Sequence, residues 1–123
     1  LFREADILTI HLVLSERTRG LVGARELSLM KRSALLVNTS RGPIVDERAL
    51  ADALERGELA GAGIDGYGEE PIPRDHPLLV APNTVLTPHL GYVTRESYRV
   101  YYEGALEAIR AWQGGAPIRL VQQ

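Results

Sequence analysis

Short apolar runs alternate along this chain with longer polar stretches, some of which carry apolar residues at helical spacing. Ile7-Leu8-Thr9-Ile10-His11-Leu12 is compact and β-rich, so it reads as a buried strand. Ala34-Leu35-Leu36-Val37-Asn38 reads as a second strand, Gly61-Ala62-Gly63-Ile64-Asp65 as a third and Thr84-Val85-Leu86-Thr87 as a fourth. The glycines of the third run would permit close approach of a helix or a ligand. Ser15 to Gly20 is polar and turn-like, and Glu26-Leu27-Ser28-Leu29-Met30-Lys31 reads as a short helix with a basic end.

Asp46 can cap the next helix, because its side-chain oxygen can meet the orphan N–H groups of a first turn. Ala49, Leu50, Ala53 and Leu54 recur there at helical spacing, and Gly57 suits a left-handed stop. A Pro-containing loop is expected from Gly66 to Asn83. From about Thr94 to Gln113, Tyr98, Tyr101, Tyr102, Ala105, Leu106, Ile109 and Trp112 fall at i+3 and i+4 steps, which predicts a long helix with one apolar face. That face is most simply a packing surface. Gly114-Gly115 stops the helix, and Ile118-Arg119-Leu120-Val121 reads as a short terminal strand. Strand–helix–strand alternation predicts an α/β fold with a mostly parallel sheet.

Composition narrows the function classes. With 123 residues and 45 % apolar content the chain can build a core of one domain's size. A net charge of −2, with both signs interspersed, offers no basic face for nucleic acid or an anionic membrane. No cysteine is present, which excludes a disulfide framework, a thiolate metal site and a Cys nucleophile. No apolar run approaches the ~20 residues of a membrane span, and no signal-peptide pattern opens the chain, so a cytoplasmic location is expected. There is no initiator Met and the chain runs almost at once into a strand, so it is expected to be cut from something longer.

Three charged residues follow the second, third and fourth strands: Arg41, Glu70 and His89. In a parallel sheet, ligands bind outside the carboxyl ends of the strands, so these side chains would reach one edge of one sheet. Singly, each has a bland reading as a surface charge or a structural loop residue. Together they suggest chemistry. An Arg matches a carboxylate with paired planar donors and suits a small acid substrate. His is the side chain best placed to move a proton near neutral pH, and a nearby Glu stabilises the imidazolium and orients the ring. No Ser or Cys nucleophile elbow and no metal-ligand set accompanies them, which points to proton transfer at a hydroxyl or carbonyl. His11 is expected near the resulting cleft as a packed or backbone-bonded residue, and His76 in a surface loop.

Leu36-Val37-Asn38-Thr39-Ser40-Arg41-Gly42-Pro43-Ile44-Val45-Asp46-Glu47 resembles the signature of the D-isomer-specific 2-hydroxyacid dehydrogenases. Ala60-Gly61-Ala62-Gly63-Ile64-Asp65 with Glu69-Glu70-Pro71 resembles the family's second segment, and Leu86-Thr87-Pro88-His89-Leu90-Gly91-Tyr92 its third. The resemblance covers essentially the whole chain. It implies a partial Rossmann-like doubly wound parallel sheet, the second half of a nucleotide-binding domain, over residues 1–93. Residues 94–123 would form a helix and tail returning to a substrate domain. It implies that Arg41 binds the substrate carboxylate and polarises its carbonyl, that His89 gives or takes the proton, and that Glu70, rather than Glu69, supports His89. NAD, with NADP left open, would meet Thr39, Ser40, Arg41, Asp65, His89 and Gly91. Asp65 at a strand end could accept from a carboxamide, or could instead orient its loop.

The family's Gly-x-Gly-x-x-Gly loop and its selector between NAD and NADP would lie upstream of Leu1, and no such pattern is expected within the chain. Leu12-Val13-Leu14 departs from the Pro common at that place in the family, which affects local cofactor contacts. The expected function is hydride transfer between NAD(P) and a D-2-hydroxy acid/2-oxo acid pair, in a protein that is a homodimer at full length. The alternative is an NAD-sensing binding protein or corepressor-type relative with little turnover. The chain by itself is expected to bind no NAD measurably, and its sheet edge to invite association.

Overall fold

The computed structural model describes residues 1–121. The chain forms two compact units, one of Leu1–Leu90 and one beginning at Gly91. In the first, four parallel strands stand in sequential order: β1 (Ile7–Ile10), β2 (Leu35–Asn38), β3 (Gly61–Ile64) and β4 (Thr84–Leu86). Short helix α1 (Ala24–Ser28) connects β1 to β2, and α2 (Glu47–Glu55) connects β2 to β3. The last crossover is a loop with one 3-10 turn at Pro77–Leu79. This is the α/β parallel architecture that the alternation predicts.

The register sorts the side chains by face. Leu8, Ile10, Leu36, Asn38, Ala62 and Ile64 point into the core, where Leu27, Ile44, Leu50, Leu54 and Leu78 meet them. Each such leucine contributes about 1.5–3 kcal/mol by leaving water. The opposite face carries Ile7, Leu35 and Val85, all exposed. Asp46 caps α2 as expected, accepting from Ala49 N–H at 3.0 Å, and Gly57 takes the left-handed conformation at φ 64° beyond its end.

Several boundaries differ from the sequence expectation for local reasons. β1 stops at Ile10, because its last partner is Asn38 and the β2 chain turns away there. Helix α1 begins at Ala24, two residues early, since Glu26 accepts from Gly23 N–H at 3.2 Å and so occupies the third helical position of a capped first turn. Lys31 lies outside it and pairs with Asp6 at 2.8 Å.

In the second unit α3 spans Arg95–Gln113 and is capped by Thr94, which accepts from Ser97 N–H at 3.1 Å. Among the described residues, no residue of α3 is buried. The terminal strand expected at Ile118–Val121 is not formed. A strand needs a ladder partner, and here Arg119, at φ 54°, instead donates to the Gly104 carbonyl at 3.1 Å and pairs with Glu107. The last two residues of the expected 94–123 segment lie outside the described residues. Among the described residues no helix is long and apolar enough to cross a membrane.

Candidate active site

The strand ends deliver their loops in a braced state. Asn38, the last residue of β2, is buried and polar, and it uses both ends of its amide on the next turn. Its Oδ1 accepts from Ser40 N–H at 3.0 Å, and its Nδ2 donates to the Arg41 carbonyl at 2.9 Å. Ser40 Oγ donates to the Ile10 carbonyl at 2.7 Å and so ties the turn to β1. On the far side of Arg41, the Gly20 and Val22 N–H groups donate to the Pro43 and Ile44 carbonyls. The Arg41 backbone is held from both sides, while its guanidinium is exposed and donates to the Ser40 carbonyl at 2.7 Å.

Gly42 explains why this loop can lie against the next one. A Cβ there would sit 2.1 Å from the Tyr67 carbonyl carbon and 2.4 Å from Gly68 N. Only a glycine allows the two backbones to touch.

Tyr67 organises the loop after β3. Its hydroxyl donates to the Ile64 carbonyl at 3.2 Å and the Thr87 carbonyl at 3.1 Å, joining the ends of β3 and β4. Burial and the nearby Asp65 carboxylate push its phenol pKa up, which keeps it a donor. Its backbone N–H donates to Glu70 Oε1 at 2.9 Å. Glu70 in turn faces His89, with Nδ1 at 3.0 Å from Oε1 and 2.9 Å from Oε2. The Glu70 carboxyl is held below the usual carboxylate range by the Tyr67 N–H first and by His89 next, with Arg41 adding a weaker pull.

His89 adopts φ 58°, in the left-handed region, and Asp65 secures the segment around it. Asp65 is buried and accepts from Leu90 N–H at 2.8 Å and from the Thr87 hydroxyl. The loop-orienting use of Asp65 is therefore present in its hydrogen bonds. Of the sequence-chosen residues, Glu70 and His89 are in direct contact, and Arg41 is on the neighbouring turn. Glu69 is exposed and Glu70 is the partner of His89. Thr39 is exposed on the same turn, and Gly91 opens the second unit.

Two histidines depart from expectation. His11 is neither packed nor bonded to backbone: it is exposed, with Nε2 at 2.9 Å from Thr9 Oγ1, because the strand has already ended at Ile10. It lines an open cleft of about 390 Å³ with Leu12, Val13, Leu14, Ser40 and Arg41, at the carboxyl ends of β1 and β2. His76 is not a surface residue either. It is mostly buried, bonds Glu47 at 3.0 Å and accepts from Leu78 N–H. Sequence reasoning also passed over Asn38, Glu47 and Tyr67; a polar residue closing an apolar run was the available signal for Asn38.

Gly61-Ala62-Gly63-Ile64-Asp65-Gly66 does spell Gly-x-Gly-x-x-Gly, against the expectation that the pattern is absent. Its first residues lie within β3 and no helix opens behind it, so it lacks the strand–turn–helix setting of a phosphate cradle. The cleft beside Arg41, with apolar Leu12 to Leu14 facing His11, Ser40 and Arg41, fits part of a dinucleotide: an apolar wall with polar groups at its rim.

A parallel sheet in sequential order, with braced loops at its carboxyl edge, defines the class: a Rossmann-like nucleotide-binding domain. The family model "D-isomer specific 2-hydroxyacid dehydrogenase, NAD binding domain" matches residues 1–91, and the chain belongs to that family. A glyoxylate reductase of Aeropyrum pernix is 47 % identical over 124 residues, covering 100 % of this chain and 37 % of the relative. A glycerate dehydrogenase of Methylorubrum extorquens is 37 % identical over 97 % of this chain and 38 % of its own length. The structure of D-lactate dehydrogenase with NAD+ from Lactobacillus jensenii superposes with a TM-score of 0.88 at 34 % identity, covering 99 % of this chain and 41 % of that one. The chain thus spans little more than a third of the length of such relatives.

Proposed function

We propose that the full-length protein interconverts a D-2-hydroxy acid and its 2-oxo acid. The observation that carries this reading is the contact of His89 Nδ1 with both oxygens of Glu70. A carboxylate accepts only, so Nδ1 bears hydrogen and proton exchange with substrate falls to Nε2. NAD, when bound, supplies or accepts the hydride at its nicotinamide.

In the reducing direction the Arg41 guanidinium holds the substrate carboxylate and its carbonyl oxygen. His89 gives its Nε2 proton to that oxygen as the carbonyl carbon gains the hydride, and Glu70 stabilises the imidazolium before transfer. Thr39, Ser40, Arg41, Asp65 and His89 would hold the cofactor from this chain's side, where the Asp65 carboxylate could accept from a carboxamide. NAD is the expected cofactor and NADP an untried alternative. The names of the relatives favour small substrates such as glyoxylate, hydroxypyruvate or glycerate. The same reading makes the full-length protein a cytoplasmic homodimer and leaves the 123-residue chain inactive alone.

Steady-state assay of the full-length protein with NADH and a panel of 2-oxo acids tests the proposal. Turnover of at least one acid is expected. Tight NADH binding with no turnover of any would replace it by the sensing or corepressor alternative.

A further inference from the structure

The loop carrying Glu70 rests on a second carboxylate–imidazole pair that proton transfer does not use. Glu47 opens α2, and its two oxygens are both engaged. Oε1 accepts from Gly68 N–H at 2.8 Å, and Oε2 accepts from His76 Nε2 at 3.0 Å. The His76 tautomer follows from its other nitrogen. Nδ1 accepts from Leu78 N–H at 3.3 Å, so the ring hydrogen sits on Nε2 and is donated to Glu47. The two side chains are 16 % and 14 % exposed, against 39 % and 32 % for Glu70 and His89. The His76 ring also meets the Tyr67 ring edge-on at 6.4 Å.

Both arms of this brace end on the same short stretch of backbone. Gly68 is held by Glu47 directly, Tyr67 is flanked by His76, and Tyr67 N–H is the group that fixes Glu70 Oε1. We propose that Glu47, oriented by His76, is a positioning residue that keeps the Tyr67–Gly68 backbone in place so that the Glu70 carboxylate stays in register with His89. This rests on the acid–base reading of Glu70 and His89 and extends it by one layer. The Arg41 turn touches the Tyr67–Gly68 backbone through Gly42, but Asn38 and Ser40 also anchor it independently of Glu47. Loss of the brace therefore lowers turnover and leaves substrate capture nearly intact.

The test is a double-mutant cycle in the full-length enzyme, pairing Glu47→Ala with Glu70→Gln, read as kcat, KM for the 2-oxo acid and melting temperature. Glu47→Ala alone is expected to lower kcat about tenfold and to change KM by less than about twofold, on the scale of a lost charge-assisted hydrogen bond. In the Glu70→Gln background the same substitution is expected to change kcat by less than about twofold, since coupled residues are non-additive. Equal losses in the two backgrounds would mean a general structural role and would overturn the proposal. Glu47→Gln keeps an oxygen for Gly68 N–H but turns an amide NH2 towards His76 Nε2–H, so it should lose about threefold. Glu47→Gln and His76→Asn carry the cycle if Glu47→Ala does not fold; wild-type kcat in both overturns the inference. A loss in Glu70→Gln that is merely additive with these variants sinks the brace alone. Wild-type kcat in Glu70→Gln itself sinks the acid–base reading as well.

Discussion

His89 Nδ1 lies 2.9 and 3.0 Å from the two oxygens of Glu70, across 19 residues of chain. Neither partner reaches this geometry by local preference. His89 is held at φ 58°, a conformation that costs a non-glycine residue about 1–2 kcal/mol. Asp65 offsets that cost by binding Leu90 N–H and the Thr87 hydroxyl on either side of it. Glu70 is set by the Tyr67 N–H, whose side chain ties the same two strand ends together. The pair is thus a product of the β3 and β4 loops being joined.

On the proposed reading, proton transfer through His89 and anchoring through Arg41 would make separable demands on kinetics. Replacing His89 by Ala in the full-length enzyme should lower kcat by about 10²–10⁴-fold, the range of a lost general acid or base. Arg41→Ala should lower kcat/KM by a similar factor and raise KM for the 2-oxo acid as well, since binding and orientation are both lost. Steady-state kinetics of the two variants decide it. Near wild-type turnover in either rejects its assignment.

The acid side of the stability profile should report Glu70. Its folded pKa lies below the ordinary value, chiefly through the Tyr67 N–H and then His89. A group depressed on folding stabilises the protein above its unfolded pKa, about 4.3 for Glu, and that contribution fades as pH falls through the folded value. The melting-temperature gap between wild type and Glu70→Gln is therefore expected to be full above about pH 5 and to close on further acidification. A gap that stays constant down to pH 3 contradicts this origin of the shift.

Gly42 offers a steric test of the contact between the Arg41 and Tyr67 loops. With a Cβ only 2.1 Å from the Tyr67 carbonyl carbon and 2.4 Å from Gly68 N, the clash falls on backbone, which cannot swing aside as a side-chain tip can. Gly42→Ala is expected to cost at least about 1–3 kcal/mol, as overpacking does, and to lower kcat because both loops move. Urea unfolding measures the first and steady-state assay the second. The open glycine Gly63, with no contact nearer than 3.9 Å, serves as a control that accepts Ala far more readily.

The strands and the long helices were legible because their signals are local: apolar runs for β1 to β4, an Asp46 cap and a Gly57 stop for α2, and i+3/i+4 spacing for α3. What the sequence hid is relational. His76 reads as a loop residue until the fold brings it 29 positions back to Glu47, and the 3-10 turn it caps has no periodicity to announce it. Ile118 to Val121 looks like a strand, but strand formation depends on a neighbour that local composition does not encode. For the candidate site, motif resemblance singled out Arg41, Glu70 and His89, whereas the side chains that brace their loops, Asn38, Tyr67 and Glu47, became visible only through hydrogen bonds.

Asn38 is where such bracing can be isolated from the chemistry. Its amide gives one donor to the Arg41 carbonyl and one acceptor to Ser40 N–H, in a position 1 % exposed. Asn38→Asp keeps size and the acceptor but removes the donor, and sets a carboxylate oxygen against the Arg41 carbonyl in a place water does not reach. The cost is expected to be about 1–3 kcal/mol, the penalty of leaving a buried polar group unpaired, or more if the carboxylate stays charged. Because the Arg41 turn loosens while Tyr67, Glu70 and His89 keep their own hydrogen bonds, KM for the 2-oxo acid should rise more than kcat falls. Denaturant unfolding and steady-state kinetics on the full-length variant measure both effects. A variant that loses kcat and keeps KM would mean that the Arg41 turn is not what Asn38 holds.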